Sequence, residues 1–178
     1  MPEKRPMMLT NIHFAILITS DRSASGLRPD LTGSQLKELI EERHGVCQFI
    51  QVIPDDPAII EEILLDWSRD DAIDVILTSG GTGIGARDVT VDVTLRLIEK
   101  EIPGFGEEMR RRSLEVTPYA ILSRAAAGIV HGKLLVNLPG SPKGAVECLT
   151  WLLKPIIHAV QVLKKEITDC QANDGKNE

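Results

Sequence analysis

Three short apolar runs, separated by helical patterns, restrict this chain to a small group of folds. The runs are residues 13–19 (HFAILIT), 46–53 (VCQFIQVI) and 73–79 (IDVILTS). The first is apolar throughout, which is typical of a strand that is covered on both faces. Amphipathic segments between the runs predict helices at about 33–43 and from residue 57 onward. This alternation predicts an α/β domain with three layers, α/β/α, and a mostly parallel central sheet.

Capping signals support the helix boundaries. Thr32, with Gln35 three residues on, resembles a capping box. Asp56 and Ser141 each stand immediately before a proline, which suits the cap and first position of a helix. Apolar residues are predicted on one face of the helix after Asp56, namely Ile59, Ile60, Ile63, Leu64 and Trp67. Pro155 is expected to divide the last helix into 142–153 and 155–167.

The second half of the chain continues the pattern with two more helices and a hairpin. Helices are predicted near 91–101 and at about 104–115. The short apolar runs 129–130 and 134–136 flank His131-Gly132-Lys133, which is typical of a tight hairpin.

Length and composition limit the organisation and the partners. The 178 residues favour one domain, at 11–168, between a loose arm at 1–10 and a polar tail at 169–178. A net charge of −6 argues against non-specific nucleic-acid binding. We see no apolar leader and no membrane-spanning run, and expect no membrane partner. Cys47, Cys148 and Cys170 lie far apart, which suits a reducing compartment and a cytoplasmic protein.

A glycine-rich segment, TSGGTGIGARDVT at 78–90, follows the third apolar run. Gly80, Gly81 and Gly83 allow backbone amides to approach a ligand closely. Arg87 and Asp88 add a cation and a carboxylate before the next helix begins near residue 90. The segment predicts a site for a phosphorylated ligand.

Parallel topology predicts that four segments meet at one edge of the sheet, because the carboxyl ends of parallel strands lie together. The segments are 20–23, 54–56, 80–90 and 137–140. Asp55 and Asp88 at this edge would suit Mg²⁺ beside a phosphate. Asp55 has an alternative interpretation as a turn residue before a capped helix. Asp88 has one as an ion-pair partner of Arg87 or as a helix cap.

The glycine loop also fits a dinucleotide fingerprint, since residues 81–86 read G-x-G-x-x-A. That fingerprint belongs after the first strand and opens directly into a helix. Here the loop follows the third strand, and Arg87 and Asp88 precede the helix. A dinucleotide-dependent oxidoreductase is therefore the weaker interpretation. The run 110–112 is three arginines, which either face water or reach the ligand.

At this point the motifs resemble those of the MogA/MoaB molybdopterin adenylyltransferase family, which includes the G domain of gephyrin. The glycine loop matches its signature. Five further segments match in order: Ser20-Asp21, 54–56 (PDD), 103–105 (PGF), 120–124 (AILSR) and 137–142 (NLPGSP). The likeness covers about residues 11–165. It implies a Rossmann-like fold and transfer of AMP from Mg-ATP to the terminal phosphate of molybdopterin, with release of pyrophosphate.

The resemblance also implies roles for particular residues. Asp55 and Asp88 would be the essential carboxylates, acting through Mg²⁺. The implied binding residues for molybdopterin and nucleotide are Ser20, Asp21, Gly80, Gly81, Thr82, Gly83, Arg87, Ser113, Ser123, Asn137, Pro139 and Gly140. The family forms trimers and passes its product to a molybdate-inserting protein, so both are expectations for this chain.

One departure from the family pattern is visible at the helix after the loop. Val91 and Val93 stand where the family usually has proline and alanine, so we expect a softer helix start and an intact site. Two other classes of protein are compatible with the same predicted fold. One is a non-catalytic scaffold, against which the retained Asp55, Asp88 and Ser123 argue. The other is the competence-damage-type module, which is normally followed by a further domain.

Overall fold

A six-stranded sheet forms the centre of the protein. The computed structural model describes residues 8–27 and 29–164. The sheet order is 2-1-3-6-5-4, and the strands are β1 (His13–Thr19), β2 (Val46–Ile53), β3 (Val75–Ser79), β4 (Lys100–Glu101), β5 (Ala127–Val130) and β6 (Lys133–Leu138). β2, β1, β3 and β6 are parallel, while β5 and β4 add an antiparallel edge. The predicted, mostly parallel sheet is confirmed.

Helices cover both faces of this sheet. They are α1 (Asp21–Ala24), α2 (Thr32–Glu42), α3 (Pro57–Ser68), α4 (Thr90–Leu97), α5 (Pro103–Ser113), α6 (Pro142–Leu163) and a 3-10 helix at Pro118–Leu122. Alternate side chains of β1 separate the two cores: Phe14 and Ile16 pack with α2, α5 and α6, whereas Ala15 and Leu17 pack with α3 and α4. The three-layer α/β/α architecture is therefore confirmed.

The chain order places a crevice at the carboxyl ends of β1 and β3. The chain runs from β1 to β2 on one side and then returns to β3 on the other side of β1. Open parallel sheets bind ligands at such a switch point. Gly80 lies there with φ of +107°, and a Cβ at this position would overlap the carbonyl oxygen of Thr19. Gly81, with φ of +60°, fits equally closely against the Thr90 hydroxyl.

The structure corrects the expectation that Pro155 divides the last helix. α6 runs unbroken through Pro155 from Pro142 to Leu163. Pro155 lies on the exposed face of α6, while Leu152 and Ile156 beside it are fully buried. The backbone hydrogen bond that proline removes is therefore on the solvent side, where water can replace it.

Other local predictions were also wrong. Thr32 does not cap α2; the Asp30 carboxylate instead accepts hydrogen bonds from the amides of Thr32, at 3.0 Å, and Gly33. Ile59 is exposed, because the buried face of α3 is formed by Ile60, Leu64 and Trp67. The helix predicted to 101 ends at Leu97, and the short strand β4 follows.

The remaining terminal and turn predictions had mixed outcomes. Leu9, expected in a loose arm, is fully buried, and its amide donates to the Arg43 carbonyl. Asp56 and Ser141 cap α3 and α6 as predicted. The hairpin is confirmed, with positive φ at His131 and Gly132. The predicted tail at 169–178 lies outside the described residues.

By length and composition, α6 could cross a membrane, since its most apolar window has a mean hydropathy of 1.3. The sequence alone predicts no membrane-spanning run. In the structure α6 packs on the sheet through its buried residues, which are Ala145, Cys148, Leu149, Leu152, Leu153, Ile156 and Val160. These residues belong to the larger core cluster, so the apolar composition has a packing role.

We predict a graded response to alanine at three glycines. Gly80→Ala should lower the free energy of unfolding by about 2–4 kcal/mol, because the new Cβ overlaps backbone at a positive φ. Gly132→Ala, with positive φ but open space, should cost about 1 kcal/mol. Gly104→Ala, in open space within α5, should be neutral or slightly stabilising. Chemical denaturation measures all three, and an equal loss at positions 80 and 132 would contradict the packing argument.

Candidate active site

Asp21 and Asp55 form a reciprocal pair where β1 and β2 end. The Asp21 amide donates to the Asp55 carboxylate at 3.0 Å, and the Asp55 amide donates to the Asp21 carboxylate at 3.0 Å. Each residue lies two positions beyond a strand end, so the parallel pairing of β1 with β2 brings them together. The expectation that these strand ends meet is confirmed. Asp55 is thus fixed by a second loop, which a simple turn residue does not require.

Arg87 reaches across from the glycine loop to this pair. Its guanidinium donates to both carboxylate oxygens of Asp21, at 3.0 and 2.8 Å. This bidentate pair lowers the pKa of Asp21. The alternative interpretation, in which Arg87 pairs with its neighbour Asp88, is wrong.

Asp88 is held by its own loop. Its carboxylate accepts a hydrogen bond from the Gly85 amide at 2.8 Å and lies against Gly83 and Gly85 so closely that a Cβ on either would be 2.8 Å away. α4 begins without a side-chain cap, so Asp88 does not cap that helix. Gly83 and Gly85 therefore make room for a carboxylate rather than only for a ligand.

The carboxylates share one electrostatic environment. Burial raises the pKa of Asp55, the hydrogen bond from the Asp21 amide opposes this shift, and the charges of Asp21 and Asp88 add to it. A bound cation would relieve this repulsion.

No group of three metal-ligating side chains occurs within the described ranges. The donor set suits Mg²⁺ bound through one or two carboxylates and a ligand's phosphates.

A cavity of about 470 Å³ is lined in part by Gly83, the residue against which the Asp88 carboxylate packs. The glycine loop, α5, the 3-10 helix and the start of α6 surround it, and apolar atoms dominate its surface. Five predicted site residues line it: Thr82, Gly83, Ser113, Ser123 and Pro139. A cavity of this size and character suits a ring system with a few polar groups.

Sequence reasoning missed several cavity residues. Cys148 is fully buried at the cavity wall, where its thiol is 3.9 Å from the Ser113 hydroxyl, and burial raises its pKa to about 11. Lys143 and Glu147 come from the first turns of α6, and Tyr119 from the 3-10 helix. The sequence signal for these residues was their position near predicted site residues. Lys143 and Glu147 follow the NLPGSP segment, and Tyr119 lies between Ser113 and Ser123.

Asn137 does not line the cavity. It is fully buried in β6, and its amide group donates to the hydroxyls of Thr78 and Thr94, both at 2.8 Å. Its carbonyl oxygen accepts from the Ala126 amide at 3.4 Å. The predicted side-chain contact with a ligand would require this network to open, so the structure gives Asn137 a supporting position instead.

The other predicted residues lie nearer the end of β1. Ser20 and Gly140 line a small cleft of about 40 Å³ between β1 and the start of α6. A Cβ on Gly140 would be 3.2 Å from the Gly80 Cα, so these glycines allow the two loops to touch. The cleft shares no lining residue with the apolar cavity, and Ser79, the last residue of β3, lines the cleft.

The arginine run has three different environments. Arg110 lines the cavity and donates to the carbonyls of Ser123 and Ala125 at 3.2 and 3.0 Å. Arg111 pairs with the half-buried Glu108 and the exposed Glu115, and Arg112 pairs with Glu108 and stacks over Trp151. Only Arg110 of the three reaches the site, so the solvated-face interpretation holds for Arg111 alone.

Fold and site together define an α/β protein whose glycine loop lies between a carboxylate-bearing sheet edge and an apolar cavity. The described loop runs from Gly80 to Val89 before α4 begins, which does not match the dinucleotide fingerprint. The profile of a family described as "Probable molybdopterin binding domain" matches residues 15–159. The chain belongs to this molybdopterin-binding domain family.

Named relatives are consistent with this assignment. The chain is 36% identical over 157 residues to a molybdopterin adenylyltransferase of Helicobacter pylori, covering 87% of this chain and 89% of the relative. It is 38% identical over 143 residues to that of Escherichia coli, covering 79% and 73%. The crystal structure of the molybdopterin biosynthesis enzyme MoaB of Thermus thermophilus superposes with a TM-score of 0.81 and 38% identity, covering 86% and 97%.

We predict that Asp21→Asn lowers the pKa of Asp55, because it removes a neighbouring negative charge and keeps an oxygen for the Asp55 amide. Carboxyl carbon NMR titration of the ligand-free protein measures this shift. Glu61→Gln, which removes a surface charge paired with Arg96, serves as the control and should leave Asp55 unchanged. An unchanged or higher Asp55 pKa in Asp21→Asn would contradict the shared environment.

Proposed function

We propose that this chain is a molybdopterin adenylyltransferase, which transfers AMP from ATP to the terminal phosphate of molybdopterin. One observation carries the proposal: a single loop borders both halves of the site. Thr82 and Gly83 line the apolar cavity, while Arg87 and Asp88 lie at the charged edge near Asp55. The family membership and the names of the relatives support the same activity.

The two halves suit the two substrates. The apolar cavity would take the pterin, with the Ser113 and Ser123 hydroxyls available to its polar groups. The edge near Ser20, Asp21 and Arg87 would take the nucleotide. A phosphate of molybdopterin would then lie beside the glycine loop, between the cavity and the carboxylates.

The reaction needs no covalent intermediate on the protein. A phosphate oxygen of molybdopterin attacks the α-phosphorus of ATP, and the bond from that phosphorus to the bridging oxygen breaks to release pyrophosphate. The chain's contribution is to hold both phosphates in line and to exclude water. Loop amides and Arg87 place positive charge near the reacting groups.

Mg²⁺ belongs to this proposal. Asp55 and Asp88 would hold it together with phosphate oxygens, and when bound it would neutralise charge on the nucleotide. The raised pKa of Asp55 is consistent with a carboxylate whose negative charge a bound cation would stabilise. We further propose, from the family resemblance, a cytoplasmic homotrimer that passes adenylylated molybdopterin to a molybdate-inserting protein. Sedimentation analysis tests the trimer.

We predict that Asp55→Asn and Asp88→Asn each lower turnover by about 100-fold or more, because each removes a charge that the metal and phosphates require. Both amides keep an oxygen that can accept the existing backbone hydrogen bonds, so the variants should remain folded and bind molybdopterin. The assay follows pyrophosphate release with molybdopterin, ATP and Mg²⁺.

The matched control is Asp66→Asn, an identical change on the exposed surface of α3. It should retain wild-type turnover. Full turnover in both the Asp55 and Asp88 variants would refute the two-carboxylate mechanism. A wild-type protein that binds molybdopterin without turnover would favour the scaffold alternative.

We also predict that Ser113→Leu weakens molybdopterin binding by about 10-fold or more, because the larger side chain fills cavity volume beside Cys148. Ser113→Ala keeps the volume open and should have a smaller effect. Anaerobic calorimetric titration measures both affinities. Equal affinity of wild type and Ser113→Leu would place the pterin outside this cavity.

A further inference from the structure

Arg124 binds the glycine loop at three backbone carbonyls. Its own amide donates to the Thr82 carbonyl at 2.8 Å, its Nε to Gly83 at 2.8 Å, and its Nη2 to Asp88 at 2.6 Å. The guanidinium also makes a bidentate pair with Asp92 in the first turn of α4, at 2.8 and 3.0 Å. One residue therefore connects Thr82 and Gly83 in the loop, Asp88 near its end and the helix that follows.

These contacts fix the direction of the loop amides. In a trans peptide, the N–H points opposite to the C=O, and the described residues contain no cis peptide. Since the carbonyls of Thr82 and Gly83 point toward Arg124, the amides of Gly83 and Ile84 point away from it. Neither amide donates to an acceptor within residues 8–27 and 29–164. Both are free to bind an anion.

Arg124 is itself held from the opposite side. Arg110 of α5 binds the carbonyls of Ser123 and Ala125, the two residues that flank Arg124. A continuous path therefore runs from α5 through residues 123–125 to the glycine loop. Both arginines act on backbone carbonyls, and a guanidinium can do so at several points because its donors form a rigid fork.

We propose that Arg124 is a positioning residue that holds the glycine loop, and with it Asp88 and the free amides, in the conformation that the transfer requires. This inference rests on the proposed function. Arg124 binds Asp88 only through its backbone carbonyl, so the Asp88 carboxylate stays free of the guanidinium. Lysine could not replace it, because a single ammonium cannot bind carbonyls of Gly83 and Asp88 and both oxygens of Asp92 in this geometry.

The test compares Arg124→Gln and Arg124→Lys with wild type in two measurements. The first is hydrogen exchange of the Gly85 and Asp88 amides, which are hydrogen-bonded within the loop. We expect both to exchange at least about 10-fold faster, while β1, β3 and β6 amides keep their rates. The second is steady-state adenylyl transfer, in which kcat should fall by up to about 100-fold. Affinity for molybdopterin should change by less than about threefold, because α5, the 3-10 helix and α6 supply most of the cavity wall.

Arg111→Gln is the matched control, since Arg111 pairs only with surface glutamates in the described part of the chain. It should match wild type in both measurements. Unchanged loop exchange in the Arg124 variants would overturn the proposal, and so would faster exchange with unchanged kcat. If Arg124→Gln does not fold, Arg124→Lys, which keeps the charge, decides by the same two measurements. A wild-type protein without adenylyl transfer would refute the proposed function, while loop hydrogen exchange would still decide whether Arg124 orders the loop.

Discussion

The contact between Gly80 and the end of β1 is the constraint on which the site depends. β1 and β3 are neighbouring parallel strands, so the chain leaving β3 must pass the Thr19 carbonyl directly. Only a residue without a Cβ fits there, and its φ of +107° turns the chain into the loop. Gly81 must also lack a Cβ, because a Cβ there would overlap the Thr90 side chain. The first two glycines of the loop are therefore needed for packing before any ligand is considered.

The loop that this contact starts joins two environments that would otherwise be separate. On one side, apolar surface from α5, α6 and the 3-10 helix forms the cavity. On the other, acidic residues from three strand ends raise the pKa of Asp55 through burial and mutual repulsion. Arg87 offsets part of this charge by binding Asp21. Of Asp21, Asp55 and Asp88, only Asp21 therefore has a paired side-chain cation within the described residues.

The fold was largely predictable because local patterns and topology agree. Apolar runs marked the strands, and the parallel arrangement placed Asp21 beside Asp55 although 34 residues separate them. Two of the failures occurred where the outcome depended on which side of a helix faces water. Pro155 was tolerated because it lies on the exposed face of α6, and Ile59 is exposed although its spacing fits the apolar stripe. The spacing of apolar residues predicts that a segment is helical, but tertiary packing decides which face of the helix is buried.

The sequence predicted the charged residues of the site better than the residues that hold them in place. Asn137 and Arg124 both lie in motifs shared with the family, yet motif matching does not separate a residue that touches a ligand from one that holds the residues that do. Hydrogen-bonding capacity separates them here. Asn137 uses both amide donors and its carbonyl oxygen on Thr78, Thr94 and Ala126, so its burial costs no unsatisfied group and leaves no free donor. Asn137 connects β6 to β3 and α4, whereas Arg124 connects the loop to the first turn of α4. Neither support uses the Asp88 carboxylate or the amides of Gly83 and Ile84, which remain available for phosphate and metal.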